Sequence, residues 1–225
     1  MNDAAPTRIS VMPAAWELAS RVASATTTAL ARLEPPLPLS ACELVADALS
    51  ADDRAWFRLQ QDGASWRLRI WFHPDQVMQD RPGRGAAAPG DHDWRLGPVP
   101  RAAPPPPVDE FSLPNALRML HQQFMLVGDL IDRRLDLATV PANVVEAFQE
   151  AWLITVDGRL QRLGLPHLSA AQRRASFLRL FATVGVVTPA HWSVFNALWD
   201  GTAATQAEVL QRIRLLPALP RRRHG

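Results

Sequence analysis

The chain has 225 residues, 48% of them apolar and 20% charged, which is enough for one sizeable core and too hydrophobic for general disorder. Its 24 basic residues, all Arg, nearly balance 22 acidic ones for a formal net charge of +2, so no basic excess marks it as a nucleic-acid binder. One cysteine, Cys42, excludes an internal disulfide and a Cys-based zinc cluster, and no apolar run is long enough to read as a membrane span.

The start MNDAAPTRIS lacks the basic-then-apolar order of a signal peptide, so the expected location is the cytoplasm. Residues 1–12 read as a loose leader. From Pro13, the residues Trp16, Leu18, Val22, Leu30 and Leu33 recur at helical spacing through a Thr-rich middle, and Pro35, Pro36 and Pro38 end that helix. Ser40-Ala-Cys-Glu43 has the form of a capping box, which predicts a short helix to about Leu49 with Cys42 as a small buried residue.

The period then changes to two. Ala55, Phe57 and Leu59 alternate with Trp56, Arg58 and Gln60, and after Asp62-Gly63 the alternation resumes as Trp66, Leu68, Ile70 and Phe72 against Arg67, Arg69 and Trp71. This predicts a β-hairpin with one buried face. The other face carries Trp56, Arg58, Arg67, Arg69 and Trp71, a surface for stacking on bases or, more plainly, an exposed face with cross-strand packing. Residues 79–107 are rich in Pro and Gly and show no period, which predicts a loop or linker.

Two helices follow. In the first, Ser112 caps, Pro114 sits in the first turn, and Ala116, Leu117, Leu120, Phe124, Val127 and Ile131 form the core stripe, interrupted by His121, Gln122, Gln123, Asp129 and Asp132. In the second, Val144, Phe148, Trp152, Val156 and Leu160 form one row, while Glu146, Glu150 and Asp157 occupy another strip. Ser169 to Gln172, Thr188-Pro189 and Thr205 to Glu208 open three more helices, and Arg221-Arg222-Arg223 reads as a solubilising tail.

Asp129-Leu-Ile-Asp132 and Trp152-Leu-Ile-Thr-Val-Asp157-Gly158-Arg159-Leu160-Gln-Arg162-Leu-Gly164 together resemble a group of bacterial zincin-like metallopeptidase proteins, over about 55 residues. Those proteins read His-Glu-x-x-His two residues before Asp-x-x-Asp, and carry an Asp-Gly-Arg-Leu-x-Arg-x-Gly segment on a second helix. Here the first motif is replaced by Gln122-Gln123-Phe124-Met125-Leu126. A zincin needs two His at i, i+4 to aim both imidazoles at one Zn²⁺, with a Glu between them to polarise the bound water. The resemblance makes Asp157 the match to the family's third ligand, without its metal. The simpler role of these residues is structural, with Asp129 or Asp132 pairing with Arg133, Arg134 or Arg159 and an Asp–Arg pair tying the helices together.

The expected architecture is α+β, mostly helical, with a zincin-like helical body and a small N-terminal β-hairpin layer. The expected divisions are an N-terminal helix and hairpin layer over 1–78, a linker over 79–110, a helical body over 111–216 and a basic tail over 217–225. The expected function is a non-catalytic pseudo-metallopeptidase that binds another protein or a peptide, with no cofactor, no metal and no membrane partner. A peptide is expected to add to a strand of the Trp66–Phe72 segment. Its residual polar cluster is His121, Gln122, Gln123, Asp129, Asp132, Glu150, Asp157 and Arg159. The alternatives are a metal-dependent hydrolase using His121 with Asp129, Asp132 or Asp157, and a nucleic-acid module using Trp56, Arg58, Arg67, Arg69 and Trp71.

Overall fold

A computed structural model describes residues 6–48, 55–79, 110–182 and 186–216. The fold is α+β and mostly helical, as the sequence predicts. The hairpin belongs to a larger layer, a four-stranded mixed sheet of order β1-β2-β4-β3. Its strands are β1 (Arg8–Met12), β2 (Leu39–Ala46), β3 (Trp56–Asp62) and β4 (Ser65–Phe72), with helix α1 (Ala19–Ala31) crossing from β1 to its parallel neighbour β2. Strand β4 runs parallel to β2, and β3 returns antiparallel along the outside of β4.

Two sequence expectations fail here. The leader contains β1, in which Ile9 and Val11 alternate with Arg8, Ser10 and Met12, and Thr7 Oγ1 donates to the Leu39 carbonyl at 2.9 Å. The helix expected from Ser40 is strand β2. Both members of the supposed capping box work across strands instead. The Ser40 hydroxyl donates to Asp62 Oδ2 at 3.0 Å, and Glu43 accepts from Arg69 Nε at 2.5 Å. Tertiary pairing on both sides outweighs a local cap worth about 1 kcal/mol.

Strand register sorts the side chains into rows. On one face Ile9, Cys42, Leu68 and Leu59 line up, and beside them Val11, Leu44, Ile70 and Phe57. These rows pack against Val22, Ala25 and Ala29 of α1 and against Ala116, Leu117, Leu120, Phe124 and Val127 of α2 (Leu113–Ile131) in one apolar core. Each large side chain buried there contributes about 1.5–3 kcal/mol. The Thr-rich middle of α1 is accommodated by Thr26, Thr27 and Thr28, whose hydroxyls donate to the carbonyls four residues back.

A second core is formed by α3 (Val145–Arg162), α4 (Ala170–Phe181), α5 (Pro189–Trp199) and α6 (Gln206–Ile213), around Phe148, Phe177, Phe181 and Phe195. Ser169 with Gln172 and Thr205 with Glu208 cap α4 and α6 as predicted, and the Thr188 N–H donates to His191 Nδ1 at 3.1 Å at the start of α5. The chain departs at Gln79 and returns at Glu110, whose carbonyl accepts the Gln79 N–H at 2.7 Å. The predicted linker and the Arg221–Arg223 tail lie outside the described residues. Among the described residues no helix is long and apolar enough to cross a membrane.

Candidate functional site

Strand β3 is a sheet edge, and among the described residues no strand pairs with its outer side. Its hairpin closes at Asp62 and Ser65 around a two-residue loop in which Gly63 has φ +62° and Ala64 does not share the positive value. The closing pair of such a hairpin exchanges both backbone bonds, so Asp62, Gln60, Arg58 and Trp56 turn their N–H and C=O groups to β4. Phe57 and Leu59, alternating with them, turn theirs outward. Strand β4 lies between β2 and β3, so the Trp66–Phe72 segment expected to receive a peptide has both edges already paired.

Beside this free edge lies a cleft of about 810 Å³, walled by β3, α2 and α3. Helix α2 contributes Arg118, Met119, Gln122, Gln123, Leu126 and Leu130. Helix α3 contributes Phe148, Gln149, Trp152 and Leu153, and Leu135, Leu168 and Arg173 also line the cleft. The segment Gln122-Gln123-Phe124-Met125-Leu126 therefore presents Gln122, Gln123 and Leu126 to the cleft while Phe124 is buried in the first core.

The polar residues singled out in the sequence do not form one cluster. Gln122 and Asp157 meet, with the Gln122 amide donating to Asp157 Oδ2 at 3.4 Å across the two helices. Asp157 is wholly buried, and it also accepts from the Leu168 N–H at 3.2 Å and from Arg173 Nε. Arg173, itself buried, extends its Nη1 to Glu150 Oε1 at 3.4 Å. The spacing of Glu150 and Asp157, two helical turns apart, lets one guanidinium serve both. Burial pushes the Asp157 carboxyl up from its ordinary range, against the pull of Arg173.

Asp129 lies elsewhere, where α2 ends against α3. Arg159 grips it at two points, Nη1 to Oδ1 at 2.6 Å and Nη2 to Oδ2, and Trp152 Nε1 donates to Oδ2 at 3.0 Å. Asp132 is exposed at the helix end, 4.0 Å from the equally exposed Arg134, a pairing worth little. His121 is buried with neither ring nitrogen hydrogen-bonded, does not line the cleft, and has its pKa pushed down by burial and by the charge of Arg32. The four groups proposed for a metal-dependent hydrolase, His121, Asp129, Asp132 and Asp157, thus lie in four different surroundings. Among the described residues no three His, Cys, Asp or Glu side chains converge as metal ligands.

The Asp-Gly-Arg segment of α3 has a packing account residue by residue. A Cβ on Gly158 would lie 2.1 Å from the Trp199 carbonyl oxygen, so only Gly lets α3 approach the end of α5. Arg162 Nη1 donates to that same carbonyl at 2.7 Å, satisfying a helix-terminal acceptor. Gly164, with φ +66°, ends the helix in the left-handed conformation.

On the outer sheet face the charges and rings are largely used internally. Arg67 pairs with Asp62 at 2.9 Å and Arg69 with Glu43, while Trp56 and Trp71 stack on each other with centroids 3.9 Å apart. This face offers Arg58 as a guanidinium without an ion pair among the described residues, which is little for binding a nucleic-acid backbone.

Sequence reasoning missed Arg173 and the edge position of β3. A signal for the first was present, because Arg173, Phe177 and Phe181 form an i, i+4 row whose members are all buried. No family model, no curated protein and no solved structure matches the chain.

Proposed function

We propose that this chain is a cytoplasmic, non-catalytic protein built on a zincin-like metallopeptidase scaffold, and that it binds an extended segment of another protein in the cleft beside β3. The observation that carries this reading is the free edge of β3 running along an apolar cleft, where the outward N–H and C=O groups of Phe57 and Leu59 await a strand. An added strand gains backbone bonds of about 0.5–1.5 kcal/mol each, and its alternate side chains enter the cleft over Leu126, Leu130, Phe148 and Trp152.

The residues facing the cleft do not fit a zinc centre. At the positions where the resemblance places the ligands and base stand two amides and a leucine, Gln122, Gln123 and Leu126. The one remaining acid, Asp157, is neutralised by Arg173, so a guanidinium supplies the positive charge that a metal would otherwise bring. The described walls present amides, apolar side chains and guanidinium groups, a lining suited to binding an extended chain.

A peptide library selected on the purified chain tests this, followed by a scan in which each backbone N–H of the selected peptide is methylated in turn. Strand addition to β3 gives a period of two, with binding abolished at every second position and retained between. Selected peptides that tolerate methylation throughout, or that lose binding in no alternating pattern, refute it.

A further inference from the structure

We infer that the strand accepted by β3 is acidic, carrying Asp or Glu opposite Arg58 with apolar residues on either side of it. The inference rests on the strand-addition reading above. It follows from the register of the outer sheet face, where Ser10, Glu43, Arg69 and Arg58 form one cross-strand row. Glu43 and Arg69 compensate each other at 2.5 Å, but Arg58 faces Arg69 directly, and like charges directly opposite in a sheet are unfavourable. Arg58 stands at the open end of the row with no ion pair among the described residues. A carboxylate on the next strand supplies the counter-charge that Arg58 lacks in this row.

Geometry favours close contact at that position. Arg58 gives its backbone groups to β4, so towards an antiparallel added strand it occupies a non-hydrogen-bonded position, where facing side chains approach most closely. The neighbours of the facing residue fall on the opposite side of the added strand, with Phe57 and Leu59, and so enter the apolar cleft. The cleft walls reinforce the sign of charge. Among the described residues they include Arg58, Arg118 and Arg173 and no Asp or Glu; Arg173 is committed to Asp157 and Glu150, and Arg118 has no ion pair among those residues. A ligand strand with Lys or Arg opposite Arg58 is therefore rejected as well as unrewarded.

The test uses fluorescein-labelled dodecapeptides with a central Val-X-Val-X-Val block between Gly-Ser flanks, where X is Glu, Gln or Lys, titrated with the full chain by fluorescence anisotropy. The Glu peptide is expected to bind about two- to fivefold more tightly than the Gln peptide per acid, and the Lys peptide more weakly than either. The gap should narrow at high salt, and the order of Glu and Lys should reverse in Arg58→Glu, a substitution at an exposed position. Equal binding of all three, still abolished by methylation of alternate backbone N–H groups, overturns the acidic preference and leaves strand addition standing. Binding by none of the three refutes both.

Discussion

Removing the guanidinium at the centre of the α3–α4 junction is the sharpest perturbation the structure offers. In Arg173→Met the buried carboxylate of Asp157 keeps only the Leu168 N–H and the weak Gln122 amide, and Glu150 loses its ion-pair partner. Stripping one member from a buried ion pair costs about 3–5 kcal/mol, because the charge left behind remains desolvated. For a chain of this size that corresponds to a Tm lower by roughly 6–20 °C. The loss should also depend on pH. With the guanidinium gone, burial outweighs the smaller downward pull of the Leu168 N–H and His167 and holds the Asp157 carboxyl further above its unfolded value, so the native state keeps a proton that the unfolded state has released, and stability falls as pH rises through that range. The deficit of Arg173→Met relative to the parent chain should therefore be larger at pH 8 than at pH 5, as measured by urea denaturation. Adding Glu150→Gln and Asp157→Asn to Arg173→Met should recover most of it. A deficit under about 1 kcal/mol, or one that is independent of pH and not recovered in the triple variant, would show that the guanidinium is not what compensates these acids.

Other substitutions test neighbouring steps of the reasoning. Gly158→Ala should cost about 1–3 kcal/mol or more in thermal denaturation, since its Cβ has no space beside the Trp199 carbonyl, and an unchanged Tm would mean that α3 and α5 do not touch there. Burial and the charge of Arg32 push the His121 pKa down, so between that lowered native value and about 6.5 the unfolded state binds a proton the native state refuses; stability should fall with acidification by up to about 1.4 kcal/mol per pH unit, and that component should vanish in His121→Leu. Cys42, with its thiol pushed up to about 12 by burial, should react with a thiol reagent only at the rate of unfolding, and rapid labelling of the native chain would contradict its place in the core.

What the sequence reveals about this fold depends on how local each signal is. The hairpin is legible because alternation over Trp56–Asp62 and Ser65–Phe72 and the Asp-Gly turn lie within seventeen residues; α2, α4, α5 and α6 are legible because Ser112, Ser169, Thr188 and Thr205 announce their starts, and α3, which has no side-chain cap, is legible from its row Val144, Phe148, Trp152, Val156 and Leu160. Strands β1 and β2 are not, because they are strands by virtue of partners far along the chain. Ser40 and Glu43 carry the local chemistry of a helix start, yet their hydrogen-bonding groups go to Asp62 and Arg69, which no window of twenty residues contains. Strand order is equally hidden: nothing in the composition of Trp66–Phe72 says that it lies inside the sheet while Trp56–Asp62 forms its edge.

For the site, spacing within a helix was informative and pairing between helices was not. The i, i+7 relation of Glu150 and Asp157 places both on one strip of α3, but the residue that joins them, Arg173, comes from a segment read only for its apolar row. The same limit applies to His121, one position from Gln122 and yet outside the cleft, since adjacent residues on a helix project about 100° apart. The consequence bears on function. Arg173 closes over the Asp157 carboxylate, and the exposed wall is left to Gln122, Gln123 and Leu126 beside a strand edge that no described strand pairs. If the proposed strand addition holds, the outward N–H groups of Phe57 and Leu59, and the charge of Arg58 between them, which has no ion pair among the described residues, carry more functional information than the acids buried behind them.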